Sequence, residues 1–462
     1  MLFNSFTYLV FLPLVVALYH ALPRQHRWKL LLAASYTFYM WWKPVYIVLI
    51  LISTYIDWIA AIKIEATASD RRRRWWLAAS MTGNLAMLIG FKYVDFFSAS
   101  LNAVLGWSGS GVRFPQLNWI LPVGISFYTF QSMSYTIDVY RREMPAQRSF
   151  GFFALFVTFF PQLVAGPIER ASALMDQLHG DRHITWDRFF LGLKMLAWGL
   201  FKKMVIADRL SIFVDTVYSD LPANSGPTLY VATVFFAFQI YCDFSGYSDI
   251  AFGSAQMLGV DLMANFRAPY LARSIVDFWR RWHISLTTWF RDYLYIPLGG
   301  NRKGYRRALL NIFIVFAVSG LWHGASWAFV AWGVYHGLLY IGGKIWPTRE
   351  PGRFITFHLV LIGWVFFRAR TIQDAFYVFA HVFDKKPVQI SLGSLFSMSD
   401  FAVSVVSVSA VLAVEYVRER PALLSLYGRA PSPVRWAFYY ALFFAVALLS
   451  YVGSQQFIYF QF

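Results

Sequence analysis

A chain of 462 residues that is 58% hydrophobic and 20% aromatic but only 14% charged cannot cover itself as a water-soluble body, because soluble domains carry about 25% charged residues. Its formal charge of +17 raises nucleic acid as a partner. Lys and Arg, however, gather in short runs between apolar segments, at Arg24–Lys29, Arg71–Arg74, Arg141–Arg148, Arg302–Arg307, Lys344–Arg353 and Arg418–Arg420. That is the positive-inside pattern, which sets membrane topology and argues against nucleic acid.

The first apolar segment begins at Phe6, with no Lys or Arg before it and Arg24, Arg27 and Lys29 soon after. A secretory signal carries its charges on the other side, so the segment reads as a retained helix with an external N-terminus. Segments near 30–42 and 45–62 form a hairpin across Lys43-Pro44, returning to a cytoplasmic Arg71–Arg74. Segments 75–97 and 118–139 bracket an external loop holding Arg113, and Arg141-Arg142 bring the chain back inside. Residues 150–168 are apolar between basic flanks, Arg148 before and Arg170, Arg182 and Arg188 after, and end in Pro161, Gly166 and Pro167. Proline interrupts a helix, so a re-entrant segment is expected, a form tolerated at membrane depth only when buried in protein or lining a cavity.

Helices near 190–213 and 228–246 follow, with later spans near 308–322, 327–345, 354–368, 398–416 and 436–453. The total is about 11–13 mostly helical spans of a bilayer whose core needs about 20 residues each. Composition is even from end to end, without linker or repeat, so residues 1–462 read as one all-α polytopic membrane domain. The only cysteine, Cys242, excludes an internal disulfide and a multi-cysteine metal site; no metal centre is expected.

The character changes between 263 and 307. Asp277–Tyr295 is too charged to span a bilayer and too apolar for a free loop. At helical spacing Phe278, Trp282, Leu286, Trp289 and Tyr293 share a stripe, with Arg280, Arg281 and Arg291 mostly elsewhere. The pattern predicts an amphipathic helix lying in the cytoplasmic interface, ended by Pro297, Gly299 and Gly300.

Ionisable side chains at membrane depth are functional candidates by default. His323, in Ser319-Gly320-Leu321-Trp322-His323-Gly324, lies between apolar segments and among small residues that allow close approach. It serves either as a reacting base or as an amphipathic residue at a helix turn, and spacing alone does not decide. His336 reads first as a hydrogen-bonded bundle histidine, and His283 as a solvated or snorkelling group among arginines and tryptophans. The run Asp243-Phe244-Ser245-Gly246-Tyr247-Ser248-Asp249 closes an apolar helix with two carboxylates; end-capping explains much of it, a site-lining role less. No P-loop, dinucleotide fingerprint, nucleophile elbow or metal cluster is present. A neutral imidazole acts as general base on a hydroxyl and arginines suit a phosphate-bearing donor, which together permit acyl transfer from a thioester.

Trp279-Arg280-Arg281-Trp282-His283-Ile284-Ser285, running into Trp289-Phe290-Arg291-Asp292-Tyr293-Leu294-Tyr295-Ile296-Pro297-Leu298-Gly299-Gly300-Asn301-Arg302, resembles the signature of the membrane-bound O-acyltransferase family, in its bacterial branch. Gly320-Leu321-Trp322-His323-Gly324 resembles that branch's histidine motif. Phe159–Ile168, Asp243–Ala251, Trp364–Ala369 and the aromatic stretch Phe457–Phe462 match further landmarks. The resemblance covers essentially the whole chain.

It implies a ring-like helical body around a central tunnel that leads to a buried histidine. His323 matches that histidine and His283 the branch's second one, while His336 matches no family position. Trp279, Arg280, Arg281, Trp282, Arg291, Asp292, Asp243, Ser245, Trp322 and His336 are then donor or tunnel candidates. The expected activity is transfer of acetyl from a cytoplasmic donor, acetyl-CoA, across a bacterial inner membrane for O-acetylation of an exported polysaccharide such as alginate or cellulose. Acetyl-CoA would be a co-substrate, with no permanently bound cofactor. The expected partner is a periplasmic or membrane-anchored esterase-like transferase of the SGNH type. D-alanyl transfer to a cell-wall polymer is the nearest alternative within the family, and a transporter or flippase the alternative outside it.

Overall fold

The computed structural model describes all residues except 110, 180–184, 348–349, 394, 452–456 and 459–462. Arg182, Val452 and the last four aromatic-rich positions of the C-terminal landmark therefore lie outside the described residues. Every regular element among those described is helical. The chain divides into two compact units, Met1–Leu193 with Ala251–Met263, and Lys194–Ile250 with Ala264–Phe462.

The first unit holds α1 (Phe6–Ala21), α2 (Arg24–Met40), α3 (Ile47–Ala66), α4 (Asp70–Lys92), α5 (Val94–Trp107), α6 (Ile125–Arg141), α7 (Phe150–Thr158), α8 (Ala171–His179) and the start of α9 (Trp186–Leu200). α3, α4 and α6 close on a buried carboxylate: Asp57 accepts from Ser80, from Asn84 at 2.9 Å and from Thr136 at 3.1 Å. A buried charge requires such donors. The expected re-entrant segment is a nine-residue helix, α7, followed by turns from Phe159 to Gly166, and Phe153–Ile168 is buried throughout. Irregular backbone is thereby shielded by protein, as a bilayer demands.

The second unit takes up the rest of α9 and a seven-residue π-helical stretch, Phe201–Ala207, before α10 (Asp208–Ser219). Then come α11 (Gly226–Met257), α12 (Ile275–Arg281), α13 (Ile284–Phe290), α14 (Tyr305–His323), α15 (Trp327–Ile345), α16 (Arg353–Arg368), α17 (Ile372–His381), α18 (Met398–Arg418), α19 (Pro421–Arg429) and α20 (Ser432–Leu449). Its helices begin on side-chain caps where the sequence supplies them: Ser274, Ser326, Thr371 and Ser397 each accept from a backbone N–H of the first turn.

Among the described residues, five helical stretches are long and apolar enough to cross a membrane: Pro44–Ala66, Gly226–Met257, Tyr305–His323, Met398–Arg418 and Ser432–Leu449. The α4–α5 pair passes jointly but is bent by 62°. Each of the other expected segments also carries a helix, shorter or more polar. α6 shows why: nearly all of its side chains are buried among neighbouring helices, where Ser126, Thr129, Gln131, Ser132, Ser134 and Thr136 are accommodated. A multi-pass membrane protein follows.

Two local expectations are corrected. The amphipathic helix over 277–295 is broken at His283, which sits at φ 44° between α12 and α13, with a π-turn over Arg291–Tyr295 beyond. Its stripe does not face lipid: Phe278, Trp282, Leu286 and Trp289 are buried inside the unit. The carboxylates Asp243 and Asp249 do not close a helix either, because α11 continues to Met257. Lys203 and Lys202 hold them there.

Candidate active site

The break at His283 is built by the segment before it. Arg267 N–H donates to the Arg281 carbonyl at 3.0 Å, and Ile284 N–H to the Asn265 carbonyl at 2.9 Å. These bonds clamp both sides of a left-handed, non-glycine residue, a conformation costing of order 1–3 kcal/mol unless its surroundings impose it. His283 Nδ1 lies 3.1 Å from Asn265 Oδ1. The same oxygen accepts from Ser285 N–H at 3.3 Å and Ser285 Oγ at 2.8 Å. Phe244 of α11 meets the imidazole edge-on at 4.6 Å. Burial pushes the ring's pKa down to about 3, so His283 is neutral at physiological pH.

His323 ends α14 and is buried. Trp322 and Trp332 each lie edge-on to it at 4.9 Å, and Phe367 at 5.4 Å. Its ring centroid is 6.5 Å from that of His283, so the two histidines share one buried, aromatic-walled space. The α14–α15 packing that sets this position depends on glycine. A Cβ on Gly320 would stand 2.4 Å from the Phe329 carbonyl oxygen, and one on Gly333 would stand 2.4 Å from that of Phe316.

A cavity of about 750 Å³ lies beside this pair, within the usual range of roughly 300–1,000 Å³ for ligand pockets. Tyr305, Ala308, Leu309, Ile312, Val315, Phe316 and Ser319 of α14 line it. This spacing is one helix face, and the next residue on that face is His323. At 1.5 Å per residue the lined stretch is about 21 Å long, with His323 about 6 Å further on. Of the lining, Arg280, Arg291, Lys344 and Tyr305 are exposed, Phe316 is half-buried, and Trp279 and Ser319 are buried. Neither histidine is itself in the lining.

Of the sequence candidates, Trp279, Arg280 and Arg291 line this cavity. Asp292 sits beside it, paired with Arg291 at 2.7 Å. Trp282 and Trp322 are buried packing partners of the histidines' surroundings, Trp282 lying 4.9 Å from Trp364. Arg281 turns away to bridge Asp277 at 2.8 Å and Glu419 at 2.7 Å. His336 is fully buried against Trp279, Trp332 and Gly363. The expected hydrogen bond is absent: neither ring nitrogen has a partner among the described residues.

Asp243 and Ser245 belong elsewhere, to a buried ionic network. Lys203 Nζ bridges Asp208 at 2.7 Å and Asp243 at 2.6 Å. Lys202 Nζ meets Asp249 at 2.5 Å and Ser245 Oγ at 2.9 Å, and Tyr241 donates to Glu415. The π-helical stretch turns both adjacent lysines towards α11, an irregularity frequent at functional positions. Lys202, Lys203 and Asn265 are not among the sequence candidates. Two lysines inside an apolar span were a visible signal; Asn265 carried none.

The family model for MBOAT, the membrane-bound O-acyltransferase family, matches residues 141–368, a stretch that contains the histidine pair, the cavity and both lysines. The chain is 41% identical over 401 residues to a probable alginate O-acetylase AlgI of Pseudomonas putida, covering 85% of this chain and 82% of that one. It is 36% identical over 381 residues to a peptidoglycan O-acetyltransferase of Helicobacter pylori, covering 75% and 71%. A teichoic acid D-alanyltransferase of Bacillus subtilis is 27% identical over 290 residues, covering 55% and 71%. With a buried histidine pair beside a basic-mouthed cavity, and with relatives of this kind along most of its length, the chain belongs to the membrane-bound O-acyltransferase family, in the branch of the alginate O-acetylases, and is an acyltransferase.

Proposed function

We propose that the protein takes acetyl from acetyl-CoA on the cytoplasmic side of a bacterial inner membrane and delivers it for O-acetylation of an exported polysaccharide. The observation that carries this reading is the single face of α14 that lines the cavity from Tyr305 to Ser319 and then presents His323. An elongated donor with a charged head and an apolar arm suits such a cavity. The exposed Arg280, Arg291 and Lys344 would hold phosphates by charge-assisted hydrogen bonds. Trp279, Phe316 and Ser319 would flank the thioester.

His323 is the general base. It removes the proton of the acceptor hydroxyl as the oxygen attacks the thioester carbonyl; the carbon–sulfur bond breaks, and the imidazolium returns its proton to the leaving thiolate. His283 orients or assists it across the shared space. The acceptor arrives from the opposite face, as a serine of an SGNH-type partner that then acetylates the polymer. Alginate is favoured as that polymer by the AlgI relatives, with peptidoglycan next. The weaker similarity to D-alanyltransferases makes a carrier-protein donor the second choice.

The test in cells is His323→Ala. Loss of polymer acetylation at unchanged protein level supports the assignment, whereas retained acetylation ends it. Co-purification with an acidic carrier protein would instead move the donor from CoA to that carrier.

A further inference from the structure

We propose that Asn265 is a positioning residue that fixes His283 as its Nδ1–H tautomer, making Nε2 the ring's proton-accepting atom. The inference rests on the acyl-transfer reading above for its catalytic meaning, but its geometry stands without it.

A backbone amide fixes the orientation of the Asn265 side chain. Ser285 N–H can only donate, and it points at Asn265 Oδ1 at 3.3 Å. The atom it faces is therefore the amide oxygen, because the flipped amide would set an NH₂ against an N–H. Ser285 Oγ donates to the same oxygen at 2.8 Å, and the NH₂ side of the amide points the other way, to Ser248 Oγ at 3.3 Å. With the amide orientation settled, an oxygen lies 3.1 Å from His283 Nδ1. A ring nitrogen facing an acceptor must carry the proton, so a neutral His283 is Nδ1–H and Nε2 holds the lone pair. The Asn265 backbone is held in turn, its carbonyl accepting from Ile284 N–H at 2.9 Å. One of the two backbone bonds that clamp the left-handed turn at His283 and the amide that sets its tautomer thus belong to the same residue.

The consequence is directional. Phe244, Phe266, Trp322 and His323 pack their rings on His283, and among these described rings His323 is the titratable one. His283 can accept a proton or hydrogen bond at Nε2, keeping Nδ1–H on Asn265, and so assist His323 while the acceptor's proton is removed and returned. It cannot begin the cycle by donating from Nε2.

The experiment is solid-state NMR of the full chain in lipid with ¹³C,¹⁵N-labelled histidine, the His283 signals being assigned by their loss in His283→Gln. Wild type is expected to show the Nδ1–H ring. Asn265→Asp keeps an acceptor oxygen and should keep both that tautomer and the larger part of the transfer rate. Asn265→Leu removes it and should release the ring to Nε2–H, lowering the rate at saturating donor at least tenfold with the donor's KM unchanged. An Nε2–H ring in wild type overturns the proposal, and that spectrum decides alone if Asn265→Leu does not fold. A leucine variant that keeps either the Nδ1–H ring or the full rate overturns it equally. If His323→Ala keeps full transfer while wild type shows Nδ1–H, the catalytic reading falls and the tautomer assignment stands.

Discussion

Replacing Lys203 by Met should destabilise the protein far more than loss of a surface lysine. The Lys203 ammonium is shared by two carboxylates, Asp208 at 2.7 Å and Asp243 at 2.6 Å, whose side chains are 2% and 4% exposed. Methionine fills the same space but leaves both carboxylates without their cation. Removing one partner of a buried pair costs roughly 3–5 kcal/mol, and two buried acids that lose their shared cation place this change near the upper end, more than a thousandfold in the folded-to-unfolded ratio. Combining Lys203→Met with Asp208→Asn and Asp243→Asn should restore most of the loss. Uncharged amides need no counter-ion, and the amide oxygen that Asp243→Asn introduces would still accept the Ile458 N–H that Asp243 now takes at 2.7 Å. The assay is unfolding in detergent by heat or SDS, followed by tryptophan fluorescence and far-ultraviolet circular dichroism. A single variant within about 1 kcal/mol of wild type, a value typical of exposed pairs, would refute the reasoning, as would a triple variant no more stable than the single one.

Other perturbations probe the cavity and its walls. Ser319→Leu places bulk at a buried position in the lining and should weaken acetyl-CoA binding about tenfold, read by calorimetry, with thermal stability unchanged. Arg280→Gln and Arg291→Gln act at exposed positions, so each should weaken donor binding about three- to tenfold and flatten its salt dependence; equal salt slopes in wild type and variants would contradict a phosphate-binding role. Gly320→Ala drives a methyl to 2.4 Å from a backbone oxygen, so α14 and α15 must separate at a cost of about 1–3 kcal/mol. Because His323 sits one turn on, its transfer rate should fall more than its stability does.

Much of this was legible in the chain itself. Apolar segment length located most helices, since a bilayer imposes its thickness on any sequence that crosses it. The charged-aromatic run around His283 and the small-residue setting of His323 were both visible as exceptions to that rule. The turn at His283 was not, because the apolar stripe from Phe278 to Trp289 keeps helical spacing straight through it. The bonds that impose the turn come from residues 265–267, outside the stripe. The ionic network stayed hidden for a related reason. Lys202 and Lys203 meet Asp243 and Asp249 only because α9 passes into a π-helical stretch, and nothing in Phe201–Ala207 announces that change of pitch. His336 departs in the opposite direction: a buried histidine is expected to find a hydrogen bond, yet it is packed among tryptophans and against Gly363.

The measurement that tests the central claim most directly is release of free CoA from acetyl-CoA by the purified protein in lipid, with and without an SGNH-type partner, comparing wild type with His323→Ala. The account predicts CoA release by wild type that rises with the partner and is lost in the variant, although the variant still binds acetyl-CoA. CoA release that persists in a folded His323→Ala protein would contradict it, and so would folded wild-type protein that releases none under any partner condition.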